Sequence, residues 1–431
     1  MNPEVNQLVD HLFRREAGKM VAVLTRTLGF DHLELAQDAM QEALLRALRT
    51  WGLGGVPANP TGWLMRVAKN RALDVIRREK NFQSKEKELI ASLEQRPDTF
   101  DDEFRFDEEL RDDQLRLMFA CCHPELSRET QVALTLKSLC GFGEKEIAAA
   151  FLSSTAAIAK RLVRARQKIR DTPITLEIPA GPELSTRLDA VLETIYLLFN
   201  EGYKASHGDE LVRKELCEEA IRLAEILVEH PAGNQPKTHA LLALMLLNAA
   251  RLPARADSEG NILLLAQQDR SLWDGAVISR GLVHLNRSAA GTELSQFHLE
   301  AGIAYCHCAA PTYDETKWER ILSLYDMLIE IKDSPVVALN RAVVIANIEG
   351  EKAALKAIAA IPARESLEKF YLYHAVLGHL HANMGNTEIA KQDFRRAMDL
   401  AETTSERRFL RRRSGELETG SNFISPAKAT Q

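Results

Sequence analysis

The sequence predicts an all-α protein. Residues with helical spacing recur through nearly every segment, and no stretch alternates apolar and polar residues as a half-buried strand does. With 431 residues, of which 45% are hydrophobic, the chain is long enough for about two to four domains with cores of their own. The helices predicted for the first part of the chain span residues 4–29, 33–50, 61–79, 108–121, 128–140, 144–151 and 155–170.

The second of these helices has two different faces. Ala36, Met40, Ala43 and Ala47 follow one another at spacings of four, three and four, so they form the buried face. The opposite face presents Asp38, Gln41, Glu42, Leu45 and Arg49. An exposed leucine among acids and amides suits docking onto a partner helix. A solvated face with one stray leucine is the plainer alternative.

The third helix combines an aromatic residue, an amide and arginines on one face. These residues are Trp63, Arg66, Asn70, Asp74 and Arg77, and the opposite face carries Leu64, Val67, Ala68 and Val75. Such a face can stack on, hydrogen-bond to and neutralise a single strand of nucleic acid. Alternatively, Trp63 anchors the core of the domain.

The stretch 144–170 has the pattern of a helix-turn-helix. A short helix is followed by the turn Ser153-Ser154 and then by a longer basic helix. Ile158, Leu162, Ala165 and Ile169 share one face of that helix, and Lys160, Arg161, Arg164 and Lys168 line the other. A helix packed on one side and cationic on the other is typical of a DNA recognition helix.

Charge is distributed unevenly along the chain. The net charge is −6, yet residues 60–80 hold six basic against two acidic side chains, and residues 141–170 hold seven against two. Residues 81–113 between them hold twelve acids and five bases. Two basic segments joined by an acidic linker indicate contact with nucleic acid more clearly than the total does.

Several function classes are disfavoured by the sequence. The N-terminus lacks the apolar run of a secretory signal, and the longest nearly apolar run, Ala240–Ala250, is shorter than the roughly 20 residues of a membrane span. Six cysteines without a regular framework suit a reducing compartment. There is no glycine-rich phosphate loop and no nucleophile elbow. We therefore expect a cytoplasmic protein that is not an enzyme, needs no cofactor and does not bind membranes.

The C-terminal region shows a weak internal repeat. Gly350 and Gly385 lie 35 residues apart, each between two predicted helices. Ala390, Phe394 and Ala397 follow the second glycine with the small-large-small pattern of tetratricopeptide repeats, whereas the first copy has Ala354 and Ala357 without the phenylalanine. A tetratricopeptide-like domain is the prediction, and a plain helical bundle is the alternative.

Taken together, the N-terminal motifs resemble those of bacterial sigma-70 family sigma factors. Asp38 to Ala47, Trp63 to Asn70, Asp74 and Arg77 look like region 2 of that family. His123 to Leu126, Glu146 to Ala148 and Lys160 to Arg166 look like region 4. A chain with only these two regions is similar to the extracytoplasmic-function subgroup.

The resemblance implies a role for each motif. Asp38, Gln41, Glu42 and Leu45 match the surface that grips the β′ clamp helices of core RNA polymerase. Trp63, Arg66, Asn70, Asp74 and Arg77 match the surface that binds and melts the minus-ten promoter element. Thr155, Ala156, Ala157 and Lys160 match positions that read the minus-thirty-five element, with Arg161 and Arg164 on phosphates. The first turn of this helix is poor in polar groups, so thymine methyls or DNA shape would carry more of the specificity.

The remainder of the chain resembles the sigma-factor subgroup that carries a C-terminal tetratricopeptide-like extension. The motifs are Cys121 to Pro124, Phe199 to Tyr203, Gln268 to Arg270 with Trp273, and Ser334 to Ala342. The implied domains are region 2 (1–82), an acidic linker (83–113), region 4 (114–172), a second linker (173–183) and a helical regulatory domain (184–431).

Two cysteine-containing clusters have the residue types of a metal site but not its spacing. Cys121-Cys122-His123 with Cys140, and Cys306-His307-Cys308, have adjacent ligands that diverge by about 100° on a helix, unlike the spaced pairs of structural zinc sites. Buried small cysteines are the preferred interpretation, so no metal is predicted. Asn200-Glu201 and Asp269-Arg270 are consistent with either a buried polar network or a ligand pocket.

The sequence thus predicts a sigma factor that docks on core polymerase, recognises and opens promoter DNA, and is controlled by its own C-terminal domain through an unidentified protein or small-molecule signal. One alternative is a polymerase-independent helix-turn-helix regulator whose repeat domain senses a ligand or protein. Another is an enzyme or scaffold that carries a degenerate copy of these two regions.

Overall fold

The computed structural model describes residues 3–78, 113–150, 153–172, 174–179, 181–204 and 212–419. Within these ranges the fold is all-α, as predicted, and the nearest approach to a β-structure is one isolated bridge between Ala256 and Ile262. No helix in the described ranges is long and apolar enough to cross a membrane. The predicted acidic linker lies almost entirely outside the described residues, which resume at 113.

The described residues form two compact units. The first comprises Met1–Leu198 and Glu218–Gly233, and the second comprises Phe199–Cys217 and Asn234–Gln431. Regions 2 and 4 of the sequence prediction therefore belong to one unit, together with parts of the first two helices that follow them.

The first seven helices of this unit match the predicted ones closely, except that the predicted start of the fourth, residue 108, lies outside the described residues. The helices of the unit are α1 (Pro3–Leu28), α2 (Leu33–Gly54), α3 (Pro60–Arg78), α4 (113–121), α5 (Arg128–Leu139), α6 (Glu144–Ala150), α7 (Thr155–Asp171), and the parts within this unit of α8 (Pro182–Tyr203) and α9 (Lys214–Glu229). A glycine with positive φ, Gly55, follows α2 and allows the chain to leave the helix before Pro60 starts the next.

Helices α1 and α5 approach so closely that their backbones touch. A Cβ atom added at Gly18 of α1 would lie 1.8 Å from the carbonyl oxygen of Leu139 at the end of α5. Only glycine leaves room for that carbonyl. In the same contact, Gln37 Nε2 of α2 donates a buried hydrogen bond of 2.7 Å to Ser138 Oγ. Arg26 of α1 pairs with the buried Asp113 of α4 at 3.0 Å. Region 4 therefore packs directly on region 2.

The second unit consists of helical hairpins. Its later helices are α10 (Pro236–Ala249), α11 (Gly275–Ser288), α12 (Gln296–Ala309), α13 (Trp318–Ile331), α14 (Pro335–Glu349), α15 (Glu351–Ala359), α16 (Tyr371–Asn383), α17 (Thr387–Leu400) and α18 (Thr404–Thr419). Short 3-10 turns interrupt them, including Leu252–Ala254 and Arg270–Leu272. The α14–α15 and α16–α17 pairs are the two copies of the repeat seen in the sequence.

Small residues let the paired helices of the second copy meet. Ala390, Phe394 and Ala397 are buried in α17, as the small-large-small pattern predicts. A Cβ atom at Gly378 of α16 would lie 2.9 Å from the Phe394 ring, so this glycine makes the space that the phenylalanine fills. The turn residue Gly385 has a φ of 76°, which glycine adopts without strain. The packing of α16 on α17 thus depends on these five positions.

Candidate nucleic-acid interface

The basic helix α7 has the two faces that its sequence predicts. Ile158, Leu162, Ala165 and Ile169 are all buried. The helix is started by Ser154, whose hydroxyl accepts a hydrogen bond of 3.2 Å from the backbone N–H of Ala157. Helix α6 packs against α7, so the two helices pair as in a helix-turn-helix.

The opposite face of α7 is open to solvent over its first half. Thr155, Ala156, Ala157, Lys160 and Arg164 are exposed, and Arg161 is half-buried. These are the six residues predicted to meet double-stranded DNA. The first turn offers a hydroxyl and two methyl groups, and the cations stand one and two turns further on. This order fits a helix whose N-terminal end meets base edges while its sides hold phosphates.

The second half of α7 is turned toward other parts of the unit. Arg166 and Arg170 form ion pairs of 3.2 and 2.9 Å with the two carboxylate oxygens of Glu34 on α2. Lys168, which the sequence places in the cationic stripe, pairs with Glu125 at 2.8 Å and lowers the pKa of that carboxyl. The cationic surface of α7 is therefore shorter than the sequence suggests.

Helix α3 presents its predicted polar face to solvent. Arg66, Asn70, Asp74 and Arg77 are exposed, while Trp63 is half-buried. The Trp63 ring packs edge-on against Trp51 of α2, with 5.4 Å between centroids, so this tryptophan also serves the core. At the start of the helix, Asn59 Oδ1 accepts a hydrogen bond of 2.8 Å from the Gly62 N–H. The buried face differs from the predicted one: Val67 and Val75 are only half-buried, whereas Met65, Ala72, Leu73 and Ile76 are buried together with Leu64 and Ala68.

The outer face of α2 is the third predicted surface. Asp38, Gln41, Glu42 and Leu45 are all exposed, and 48% of Leu45 remains accessible although its apolar neighbours Ala43, Leu44 and Ala47 are buried. Partial burial and the nearby Glu34 raise the pKa of Asp38, and the positive charge of Arg166 acts in the opposite direction. The basic end of α7 thus lies within electrostatic reach of this acidic face.

The first two helices of the C-terminal part contact region 4. Arg187 of α8 donates a hydrogen bond of 3.4 Å to the carbonyl oxygen of Phe119, and Glu193 pairs with Arg128 of α5 at 2.8 Å. Arg222 of α9 donates to Gln114 Oε1 at 2.9 Å. All of these contacts lie within the first unit. The sequence does not reveal them, because each joins residues more than 60 positions apart.

The cysteine cluster near region 4 lies in the core. Cys121, Cys122 and Cys140 are buried, and burial raises the pKa of all three thiols, to about 12 for Cys122. Among the described residues, no three His, Cys, Asp or Glu side chains are grouped closely enough to hold a metal ion. These thiols act as small apolar residues that pack between α4 and α5.

Comparisons with known proteins match three separate parts of the chain. Family models match for Sigma-70 region 2 at residues 12–82, Sigma-70 region 4 at residues 116–169, and a family of unknown function, DUF6596, at residues 187–289. A protein described as uncharacterised, from Rhizobium meliloti (strain 1021), is 39% identical over 389 residues, which cover 89% of this chain and 90% of that protein. No solved structure matches the chain.

Proposed function

This chain belongs to the sigma-70 family of RNA polymerase sigma factors and carries a C-terminal extension, and we propose that the extension controls it by holding region 4 against region 2. Core RNA polymerase and promoter DNA are its partners. Sigma factors are not enzymes, and the proposal assigns no reaction to the chain. Because polymerase and DNA are cytoplasmic, the proposal also places the protein there.

Within this function we assign the three exposed faces as the resemblance implies. Asp38, Gln41, Glu42 and Leu45 of α2 grip the β′ clamp helices. Trp63, Arg66, Asn70, Asp74 and Arg77 of α3 bind and open the minus-ten element. Thr155, Ala156, Ala157, Lys160, Arg161 and Arg164 of α7 meet the minus-thirty-five element. The exposure of all these residues except the half-buried Trp63 and Arg161 supports the assignment.

The distance between the two promoter elements leads to a further part of the proposal, which is that regions 2 and 4 must separate before both elements can be bound. The two promoter elements are named for positions about 25 base pairs apart, which is roughly 85 Å of DNA at 3.4 Å per step. A compact unit of about 200 residues is only about 45 Å across. While Gly18 lies on Leu139 and Glu34 holds Arg166 and Arg170, α3 and α7 cannot reach both elements together.

The C-terminal part supplies contacts that can maintain this packed state. Arg187, Glu193 and Arg222 all bind residues of α4 and α5, and all three lie within the part matched by the family of unknown function. We propose that a signal acting on the extension loosens these contacts. The main support for the proposal is that α8 and α9 contact α4 and α5, the two helices through which region 4 packs on region 2.

A charge reversal tests the role of the extension. Glu193→Arg places like charges opposite Arg128 on a half-exposed contact, and we expect open-complex formation with core polymerase to rise about two- to fivefold, in line with the modest energies of surface ion pairs. The swap Arg128→Glu/Glu193→Arg restores the attraction and should return the rate to that of the unchanged protein. If Glu193→Arg lowers open-complex formation, the extension supports activity and does not restrain it.

Removing two cations from α7 tests its contact with DNA. Arg161→Ala/Arg164→Ala should weaken promoter binding by the holoenzyme about ten- to a hundredfold. It should also reduce the slope of log affinity against log salt by about 1.8, because roughly 0.9 counterions are released per phosphate contact. The matched control is Arg395→Ala/Arg396→Ala, a pair of exposed arginines on α17. An unchanged salt slope in the α7 variant would contradict the assignment.

The same binding assay separates the sigma function from its alternative. A sigma factor selects a promoter in complex with core polymerase, whereas a polymerase-independent regulator binds its site alone. Specific promoter binding without core enzyme would favour the second candidate.

A further inference from the structure

Two clusters that the sequence singles out separately meet in the second unit. Arg270 begins the 3-10 turn Arg270–Leu272, and His307 lies in the last turn of α12. Arg270 Nη1 donates hydrogen bonds of 2.6 Å to the carbonyl oxygens of both His307 and Ala310. One arm of the guanidinium therefore closes the C-terminus of α12, where carbonyl groups lack helical partners.

A second arginine shares the same surroundings. The guanidinium carbon of Arg270 lies 4.5 Å from the Trp273 ring centroid, and that of Arg251 lies 5.4 Å from the same centroid. The backbone N–H of Asp274 donates to the carbonyl oxygen of Ala250 at 3.0 Å, which fixes the turn beside the end of α10. Two cations are thus held at one indole, and each lowers the pKa of His307.

No carboxylate balances this pair among the described residues. Burial and the charge of Arg251 lower the pKa of Arg270, and the groups that oppose this are Cys308 and Tyr313. The neighbouring Asp269 and Asp274 are exposed and accept from the backbone N–H groups of Ser271 and Val277. Elsewhere in this unit, by contrast, the buried arginine of α18, Arg413, pairs with Glu416 at 2.6 Å. Buried charges are normally compensated in this way.

Four hydrogen-bonding groups at the arginine pair lack a partner. They are Arg251 Nε, Arg270 Nη2, Trp273 Nε1 and His307 Nδ1. Arg251 and Trp273 are only 9% and 8% exposed, so bulk water does not easily supply their missing hydrogen-bond partners. Burial, Arg251 and Arg270 lower the pKa of His307 to about 3, so the imidazole is neutral near pH 7 and can still donate one N–H. Unpartnered buried donors are unfavourable, and such groups collect at binding sites.

We propose that Arg251, Arg270, Trp273 and His307 form a binding site for a small oxyanion, a carboxylate or phosphate group. An oxyanion accepts several hydrogen bonds at once and supplies the negative charge that the two guanidinium groups lack. Arg270 and His307 are only half-buried, and the adjacent Ser271 and Leu272 are exposed, so this edge of the cluster faces solvent. The inference concerns binding by the extension and does not depend on how the extension controls transcription.

The experiment measures anion binding by the full-length protein. Inorganic phosphate and acetate are titrated separately at constant ionic strength, with chloride as the replacement ion. Calorimetry gives affinity, and the imidazole resonances of His307 report the site itself. We expect a saturable interaction with at least one of the two probes and a shift of the His307 resonances. A response to phosphate alone or acetate alone supports the proposal and identifies the class. A response no greater than that to chloride overturns it.

Substitution of Arg251 distinguishes a ligand site from a structural contact. Arg251→Met should reduce affinity at least tenfold, and without ligand it should leave the thermal midpoint unchanged or raise it, because it removes repulsion from Arg270. A purely structural arginine would instead lower the midpoint. Arg251→Lys keeps the charge without the planar fork and should bind with intermediate affinity. Arg395→Met, an exposed change on α17, is the control and should bind as the unchanged protein does. Unaltered binding by Arg251→Met would overturn the proposal.

Discussion

Leu45→Arg is expected to abolish most sigma-dependent transcription while leaving the fold intact. Leu45 is the exposed apolar residue of the outer face of α2, with Gln41 and Glu42 one turn away. Arginine at this position would leave an unpaired charge against the clamp helices when they cover the proposed docking face, which we expect to cost about 2–4 kcal/mol. We therefore expect a loss of about 30- to 1000-fold in affinity for core polymerase.

A second leucine on the same helix supplies the control. Leu53 lies in the last turn of α2 and is 94% exposed, outside the proposed face. Leu53→Arg adds the same charge to the same helix and should bind core polymerase normally. The assay measures the affinity of each variant for core enzyme and then transcription from a linear template. Equal affinities for the two variants would mean that the clamp helices bind elsewhere.

Gly18→Val is expected to force α1 and α5 apart. The new side chain would overlap the Leu139 carbonyl, a backbone atom that cannot rotate away, so one helix has to move. Overpacking of this kind costs about 1–3 kcal/mol, and occasionally more. We expect amide exchange at the end of α5 to rise tenfold or more. If the packed state restrains the sigma factor, open-complex formation should also rise.

The matched control for this change is Gly52→Val. Gly52 is an exposed helical glycine of α2, and a Cβ atom there would meet no other atom within 4 Å. Circular dichroism and core-polymerase binding report whether region 2 of each variant still folds. If Gly18→Val keeps the exchange pattern of Gly52→Val, regions 2 and 4 are not packed together in solution, and the proposed control by closure fails.

Spacing along single helices was enough to predict the three exposed faces. On α7, the spacing of the apolar residues from Ile158 to Ile169 is enough to assign one side of the helix to the core and the other to the basic residues. Both sides belong to one continuous helix of fixed pitch. The same reasoning identified the outer face of α2 and the polar face of α3. It was less accurate where a residue serves two purposes, as with Trp63, which faces the predicted surface and also packs on Trp51.

Contacts between distant segments could not be predicted in this way. Arg166 and Arg170 have the same residue type and spacing as their neighbours on α7, but they pair with Glu34, more than 130 positions earlier. Nothing in the local pattern distinguishes them from Arg161 and Arg164. Likewise, the sequence marked both Gln268 to Trp273 and Cys306 to Cys308, but it gave no sign that Arg251 joins them.

Residue spacing and polarity predict the all-α class, the order of the helices in the first part of the chain and the residue types on each face, because helix pitch and side-chain polarity act over a few residues. Two features are visible only in the folded chain: region 4 rests on region 2, and two arginines share Trp273 with no carboxylate beside them among the described residues. Both depend on which helix surfaces meet. Which surfaces meet depends on how well their shapes and charges match across the whole unit. At Gly18 the absence of a side chain matters to that match as much as a side chain does elsewhere.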